Sequence, residues 1–258
     1  MTRIFFVTGI LLISATSCIR EIFCINGNGK VETEIRNAVT FNEAVNTTEV
    51  DLIYHKADTV SISVRAESNL IPHILTSVKN GRLEVRTDPR NACFDYTHKP
   101  VVIVTSPGLN IMELTGSGDF TADNLTGNSV NVKSTGSGDI FTSYISCTDL
   151  TVTLTGSGDT DIDNTLCQSA DFTLTGSGDM SIKGTGNSGT MRVTGSGNIE
   201  AREFTLITAV ETITGSGDIF THVVNSLVAV ISGSGNIHLT GNPAINQTIT
   251  GSGRIIRK

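Results

Sequence analysis

Thr115-Gly116-Ser117-Gly118-Asp119 is the stretch that decides the fold, because its Gly-Ser-Gly centre recurs seven more times along the chain. The steps between successive copies are 20, 20, 20, 19, 20, 18 and 18 residues. A period of this length indicates a stacked array, in which one supersecondary unit packs on the next. The first glycines of the later copies are Gly136, Gly156, Gly176, Gly195, Gly215, Gly233 and Gly251.

Apolar and polar residues alternate strictly on both sides of these glycines. Leu150, Val152 and Leu154 alternate with threonines, which is typical of half-buried strands. The position two residues before each Gly-Ser-Gly is apolar in all copies except Ser134, and the position after the corner Asp or Asn is apolar except at Thr160. Glycine suits a corner because it reaches positive φ without a clash. The pattern predicts an all-β protein, a right-handed parallel β-helix of about eight coils, since right-handed crossovers are the rule.

The repeats occupy residues 109–258, and the preceding region, residues 31–108, is β-rich without the 20-residue period. Its signals include a hairpin turn at Asn80-Gly81 and a short helix within residues 69–75. An open solenoid end exposes apolar surface and unpaired backbone groups. We therefore expect residues 31–108 to cap the N-terminal end of the β-helix.

The first residues have the pattern of an export signal. Arg3 precedes a mostly apolar run, Ile4 to Ile13, which is too short to span a bilayer. Small residues then lead to Cys18, as in a bacterial lipoprotein signal. This predicts a signal peptide at 1–17, lipidation of Cys18 and a tether at 18–30, and hence an outer-membrane lipoprotein of the cell envelope. Plain secretion, with cleavage elsewhere, is the alternative.

Composition and spacing narrow the chemistry. The net charge of −7 argues against nucleic acid, which needs a basic surface, and the five cysteines have no zinc-site spacing. Cys147 and Cys167 lie 20 residues apart, so they should stack on adjacent coils, either as a disulfide or as two buried thiols. The spacing favours neither alternative.

The corner aspartates have two interpretations. Stacked carboxylates such as Asp139 and Asp159 could hold a ladder of calcium ions, or each could accept backbone N–H bonds at its own turn. Asparagine at the equivalent positions 198 and 236 favours the turn, because it serves a turn equally well without supplying charge. We expect no metal and no cofactor.

Two motifs resemble catalytic ones without their context. Serine between glycines occurs eight times with no recurring His or Asp partner, so it does not indicate a nucleophile. Residues 184–189 match Gly-x-Gly-x-x-Gly but lack a βαβ unit, and we interpret them as a loop in the 19-residue repeat.

The lipoprotein-like signal, the opening Ile25-Asn26-Gly27-Asn28-Gly29-Lys30, the segment Glu67-Ser68-Asn69-Leu70-Ile71-Pro72 and the serial Gly-Ser-Gly-Asp/Asn repeats together resemble one family. It is the bacterial group described as putative auto-transporter adhesin, head GIN domain, common in Bacteroidetes. The resemblance covers residues 26 to 258. It implies an exported, β-helical, non-enzymatic protein with an adhesive role.

Three functions compete. The first is a non-catalytic rod, anchored to the membrane by lipid, that displays a threonine-rich surface to a glycan or protein ligand. The second is a polysaccharide-active enzyme, which would need carboxylates converging in one cleft, whereas the acids here recur at every corner. The third is a structural envelope protein. We expect the first.

Overall fold

The computed structural model describes residues 24–258, and these residues form 21 strands and one short 3-10 helix, Ile71–His73. The first nine strands are β1 (Ile25–Asn26), β2 (Val31–Arg36), β3 (Glu43–Asn46), β4 (Asp51–Lys56), β5 (Ser61–Glu67), β6 (Ile74–Lys79), β7 (Arg82–Thr87), β8 (Phe94–Asp95) and β9 (Val101–Ser106). The repeats contribute β10 (Ile111–Leu114), β11 (Phe120–Ala122), β12 (Leu125–Ser134), β13 (Ile140–Thr142), β14 (Ile145–Gly156), β15 (Thr160–Gly176), β16 (Met180–Gly195), β17 (Ile199–Gly215), β18 (Ile219–Gly233), β19 (Ile237–Thr240), β20 (Ala244–Gly251) and β21 (Ile255–Arg257).

The repeat strands pair in parallel with the repeats before and after them. Strand segments that precede the corners form one ladder, from β10 through β12, β14 and the long strands β15 to β18 to β20. Segments that follow the corners form a second ladder, from β11 and β13 to β19 and β21. The result is a β-solenoid of about seven turns, which confirms the predicted all-β, β-helical fold class.

The region 31–108 lies at the N-terminal end of these ladders and extends them. Strand β3 pairs in parallel with β10 and with β7, and β4 pairs in parallel with β11 and with β9. Antiparallel strands lie beyond: β6 on β7, β5 on β9, and β2 on β5. The hairpin at Asn80-Gly81 is confirmed, with φ of 52° and 77° at its two residues.

The interior is a continuous apolar core along the solenoid. The two rows that flank the corners are buried except at the last corner, where Ile249 and Ile255 are partly exposed. The buried positions include the polar exceptions Ser134 and Thr160, each 1% exposed. Strand register therefore decides which residues are buried, even where a single residue is polar. A shift of one residue would move every core side chain of the strand to the solvent face. Each fully buried aliphatic side chain contributes roughly 1.5–3 kcal/mol.

The predicted loop at residues 184–189 is wrong, because this segment lies within β16. A Cβ atom at Gly189 would lie 2.5 Å from Leu206 Cδ1, and one at Gly186 would lie 3.0 Å from Phe204 Cζ. The glycines thus leave space for large side chains of the next coil. A register shift between Ser181 and Gly184 takes up the irregularity in length.

Candidate functional site

From Gly156 onward, each Gly-Ser-Gly corner is shaped by two glycines that are required for different reasons. Gly176 has a φ of 133°, in a region that side chains disfavour. Its neighbour Gly178 has no such φ, but a Cβ there would lie 2.0 Å from the carbonyl oxygen of Gly158. The carbonyl of Gly156 accepts the N–H groups of Ser177 and Gly178, at 3.0 and 3.3 Å. Close approach of successive coils therefore excludes side chains.

The corner aspartates form a hydrogen-bonded ladder between coils. The Oδ1 atom of Asp139 accepts the backbone N–H of Asp159 at 2.8 Å, and that of Asp159 accepts the N–H of Asp179 at 2.8 Å. The bonds join successive coils, so the expectation that each carboxylate caps its own turn is wrong. The members are Asp51, Asp119, Asp139, Asp159, Asp179, Asn198, Asp218 and Asn236.

Asparagine takes part in this ladder as aspartate does, because only one side-chain oxygen per residue is needed. Asn198 Oδ1 accepts the N–H of Asp218 at 2.9 Å. At the N-terminal end, Lys99 Nζ lies 2.7 Å from Asp51 and 3.2 Å from Asp119 and neutralises part of the charge. Among residues 24–258, no group of three or more His, Cys, Asp or Glu side chains is arranged to hold a metal ion.

The ladder begins at a corner that contains no glycine, residues 47–51, and sequence reasoning missed it for that reason. The N–H of Thr115 bonds to the carbonyl of Asn46 at 2.8 Å, and that of Asp119 bonds to Asp51. Thr48 and Val50 thus occupy the places of the two glycines. The pattern of an Asp followed by an apolar alternation from Leu52 was the available signal.

Side chains fit at this first corner because no tight corner lies beneath it. Strands β7 and β9, the next in the ladders, are joined by the long loop 88–100. This loop is held by the Cys24–Cys93 disulfide and by the parallel pairing of β1 with β8. Glu49 accepts the backbone N–H of Phe94. Burial raises the pKa of Glu49, and the bond to Phe94 opposes the rise.

A cleft of about 480 Å³ lies between this loop and the stacked corners at Thr48, Ser117 and Ser137, here called the corner ridge. Most of the surrounding residues are hydroxyl-bearing or small, and one, Glu49, carries a charge. The cleft spans the junction of the glycine-free corner and the first two Gly-Ser-Gly corners. The lining residues are Thr47, Thr48, Glu49, Thr87, Asn91, Ala92, Cys93, Thr115, Gly116, Ser117, Gly136 and Ser137.

Glu67 has its side chain fully buried and ties the start of the described chain to the same loop. Its carboxylate accepts the backbone N–H groups of Gly29 at 2.5 Å, Thr97 at 2.7 Å and His98 at 3.0 Å. The bonds from Gly29 and His98 are the main cause of its lowered pKa. The Glu67-Ser68-Asn69 segment, noted above for family resemblance, therefore has a structural role.

The predicted cysteine sites differ in outcome. Cys18 and the signal peptide lie outside the described residues. Cys147 and Cys167 are free thiols in the structure, and burial raises their pKa values to about 11 and about 12. The disulfide instead joins Cys24 to Cys93, which are 69 residues apart and outside the repeats, where no period could reveal the pairing.

The outer surface beside the corners consists of two rows of hydroxyl groups. One row comprises exposed Thr and Ser side chains at positions that are register partners on successive coils. At the end of this row, Ser232 Oγ lies 3.1 Å from Thr250 Oγ1. The central serines of the corners form the second row, and they are exposed as well. The first row contains Thr155, Thr175, Thr194, Thr214, Ser232 and Thr250.

One carboxylic acid, Glu211, lies inside the solenoid. Its side chain is fully buried between Met191 and Ala229 of the adjacent coils, and neither carboxyl oxygen has a hydrogen-bond partner within residues 24–258. Burial raises its pKa to about 7. Across the described residues, no helix is long and apolar enough to cross a membrane.

The same architecture occurs in solved structures of other bacterial proteins. A putative adhesin from Parabacteroides merdae has a TM-score of 0.85 and 23% identity, with 91% of this chain and 98% of that chain covered. A putative lipid binding protein from Parabacteroides distasonis has a TM-score of 0.83 and 26% identity, with 92% and 100% covered. A putative adhesin from the same organism has a TM-score of 0.84 and 24% identity, also with 92% and 100% covered.

A search of curated proteins finds no match. The family model described as putative auto-transporter adhesin, head GIN domain, matches residues 40–243, which include the first, glycine-free corner and seven of the eight Gly-Ser-Gly corners. The family resemblance found in the sequence is thereby confirmed. This chain belongs to the putative auto-transporter adhesin, head GIN domain, family.

Proposed function

We propose that this protein is an exported, lipid-anchored component of the cell envelope that acts as a non-catalytic, adhesin-like binding rod. Family membership supports an adhesive role, and the sequence of residues 1–18 supports export and lipidation of Cys18. The ligand is a glycan or a protein. Nucleic acid does not fit a chain with a net charge of −7.

The observation that carries this proposal is the pair of exposed hydroxyl rows beside the corners. Thr175 and Thr194 lie on successive coils, which are about 4.8 Å apart. Hydroxyl groups both donate and accept hydrogen bonds, so such a surface suits polar, uncharged ligands. The underlying ladder is rigid because each corner bonds to the next. A repeated, pre-organised surface of this kind is what solenoid proteins use for binding.

A binding assay separates this function from its alternatives. The mature protein is tested against immobilised polysaccharides, host-surface proteins and phospholipid vesicles, and the polysaccharides are then checked for depolymerisation. We expect retention without cleavage on at least one polysaccharide or protein. Release of short oligosaccharides would show an enzyme, whereas retention on vesicles alone would assign a lipid ligand. The absence of any binding would favour a purely structural role.

Anchoring is tested independently through Cys18. Cells that express the full chain or its Cys18→Ser variant are labelled with a palmitate analogue and fractionated. We expect label and membrane association for the wild-type protein, and loss of both for the variant. An unlabelled wild-type protein in the soluble fraction would indicate plain secretion.

A further inference from the structure

The cleft beside Glu49 lies where the repeat is interrupted. At the Gly-Ser-Gly corners each coil covers the one before it, with the N–H of Ser177 only 3.0 Å from the carbonyl of Gly156. At the first corner the loop 88–100 takes the place of a covering coil, and a space of about 480 Å³ remains between the loop and the corner. That volume falls within the range of small-molecule sites. The cleft therefore exists because the glycine-free corner at residues 47–51 is covered by a loop and not by a coil.

The lining of the cleft restricts the charge of a ligand. None of the lining residues is Lys or Arg, so a phosphate, a sulfate or an acidic sugar would find no counter-ion among them, although Arg86 and Arg90 line the adjoining pocket. Glu49 is the one ionisable side chain apart from the disulfide-bonded Cys93. Aromatic side chains are absent from the lining residues as well, so recognition would depend on hydrogen bonds.

Part of the polar lining is already used within the protein, and part is available. Thr47 Oγ1 donates to the carbonyl of Val85 at 3.0 Å, and Thr87 Oγ1 accepts the N–H of Ala92 at 3.2 Å. These side chains shape the cleft. In contrast, Ser117, Ser137 and Asn91 are exposed at its edge, and they offer hydroxyl and amide groups.

The walls are held in place before any ligand arrives. On the loop side, Cys93 is bonded to Cys24, and Asn91 has a left-handed φ of 59°. On the ridge side, Ser117 lies between two glycines that pack on Thr48 and Val50. Pre-organised polar groups lose little entropy on binding, so they favour affinity from hydrogen bonds alone.

We propose that this cleft binds a neutral glycan through vicinal hydroxyl groups. The proposal rests on the binding function proposed above and assigns it to one place and one ligand class. Glu49 accepts the Phe94 N–H with one carboxylate oxygen, and the other oxygen accepts a sugar hydroxyl. Ser117 and Ser137 supply donors from the ridge, and Asn91 supplies its amide from the loop. The hydroxyl rows extend the contact along the rod for longer chains.

Tryptophan substitution in the cleft gives the test. The probes are neutral oligosaccharides of glucose, mannose, galactose and arabinoxylan, with an acidic pectic oligosaccharide for comparison, and binding is measured by calorimetry and saturation-transfer NMR. Ser117→Trp fills the cleft. Its control is Ser129→Trp, an exposed serine in the middle of β12 that lies outside the cleft lining and outside both hydroxyl rows. We expect at least about a tenfold loss of affinity for Ser117→Trp and less than about a twofold change for Ser129→Trp.

Two more variants keep the test decisive. Ser137→Trp replaces Ser117→Trp if the latter does not fold, as judged by circular dichroism. Glu49→Gln retains an oxygen for the Phe94 N–H and should weaken binding about threefold to tenfold.

Each remaining outcome has a distinct meaning. If a neutral glycan binds equally to Ser117→Trp, Ser137→Trp and wild type, the cleft assignment is wrong and the binding function stands. If wild type binds only the acidic oligosaccharide, the ligand class is wrong. If wild type binds none of these probes but is retained on proteins, the cleft inference fails alone. If it binds nothing in either assay, both proposals fail.

Discussion

The first corner, residues 47–51, and the eight Gly-Ser-Gly corners perform the same task with different residues. Both kinds of corner turn the chain between the two strand ladders. Both are followed by an Asp or Asn whose side chain bonds to the next coil, and these residues together are here called the Asx ladder. The last corner is the exception, because Arg254 follows it. At a repeat corner the previous coil lies directly beneath, and only glycine fits. At the first corner Thr48 and Val50 are accommodated because the loop 88–100 leaves space. The requirement for glycine is thus imposed by the neighbouring coil.

The largest effect is expected where a side chain is forced between two coils. Gly178→Ala would place Cβ 2.0 Å from the Gly158 carbonyl oxygen, and this contact involves backbone that cannot move independently. We expect the free energy of unfolding to fall by more than about 3 kcal/mol in denaturant titrations. The control is Gly108→Ala, since nothing lies within 4 Å of a Cβ atom there. Equal effects of the two substitutions would show that coil contact is not the reason for glycine.

Removal of the disulfide tests what holds the irregular corner. The double variant Cys24→Ser, Cys93→Ser opens a link across 69 residues. We expect a loss of about 2–4 kcal/mol in unfolding free energy, because cross-links of this span restrict the unfolded chain. Hydrogen exchange should rise in residues 88–98 and stay constant in β15 to β18. Faster exchange throughout the repeats would mean that the two regions do not unfold separately.

Glu211 is a second departure from the regular repeat, because it places a carboxyl group in the apolar core. Its folded-state pKa of about 7 lies above the ordinary value of 4.5. Its contribution to stability is therefore fully present below about pH 4.5 and is lost as the pH rises through about 7, a change of about 3 kcal/mol. Glu211→Met should raise stability at pH 8 and remove this decline.

The matched variant Glu211→Gln separates charge from packing. It should also remove the pH dependence, but it leaves polar atoms buried and gains little stability. Denaturant titrations at pH 5 and pH 8 measure both effects. A wild-type protein as stable at pH 8 as at pH 5 would contradict the assignment.

The smallest effect concerns the Asx ladder. Asp159→Ala leaves the N–H of Asp179 without its side-chain partner, and we expect a loss of about 1 kcal/mol. Asp159→Asn should be neutral, as Asn198 already shows that an amide oxygen suffices. Asp51→Ala should cost more, because Asp51 also pairs with Lys99. If Asp51→Ala and Asp159→Ala are equal in thermal melts, the ion pair at the first corner adds nothing.

Much of the repeat region was predictable because its information is local and periodic. Two-residue alternation and a 20-residue step specify strands, corners and the buried rows, since each coil has the same neighbours above and below. Family membership followed from the same motifs. The prediction failed at residues 184–189, where glycine serves the packing of Phe204 and Leu206, side chains of the next coil.

The sequence by itself determined the stacked strands of the repeat region, the buried rows beside the corners and the family of the chain. Only the tertiary structure decided the rest: the glycine-free corner at 47–51, the pairing of Cys24 with Cys93, the inter-coil bonds of the aspartates, and the cleft beside Glu49. The physical reason is that these features depend on contacts between segments far apart in the chain and outside the period. The period of a repeat specifies the contacts between successive coils, but it does not specify the contacts that the first coil makes with non-repeating segments.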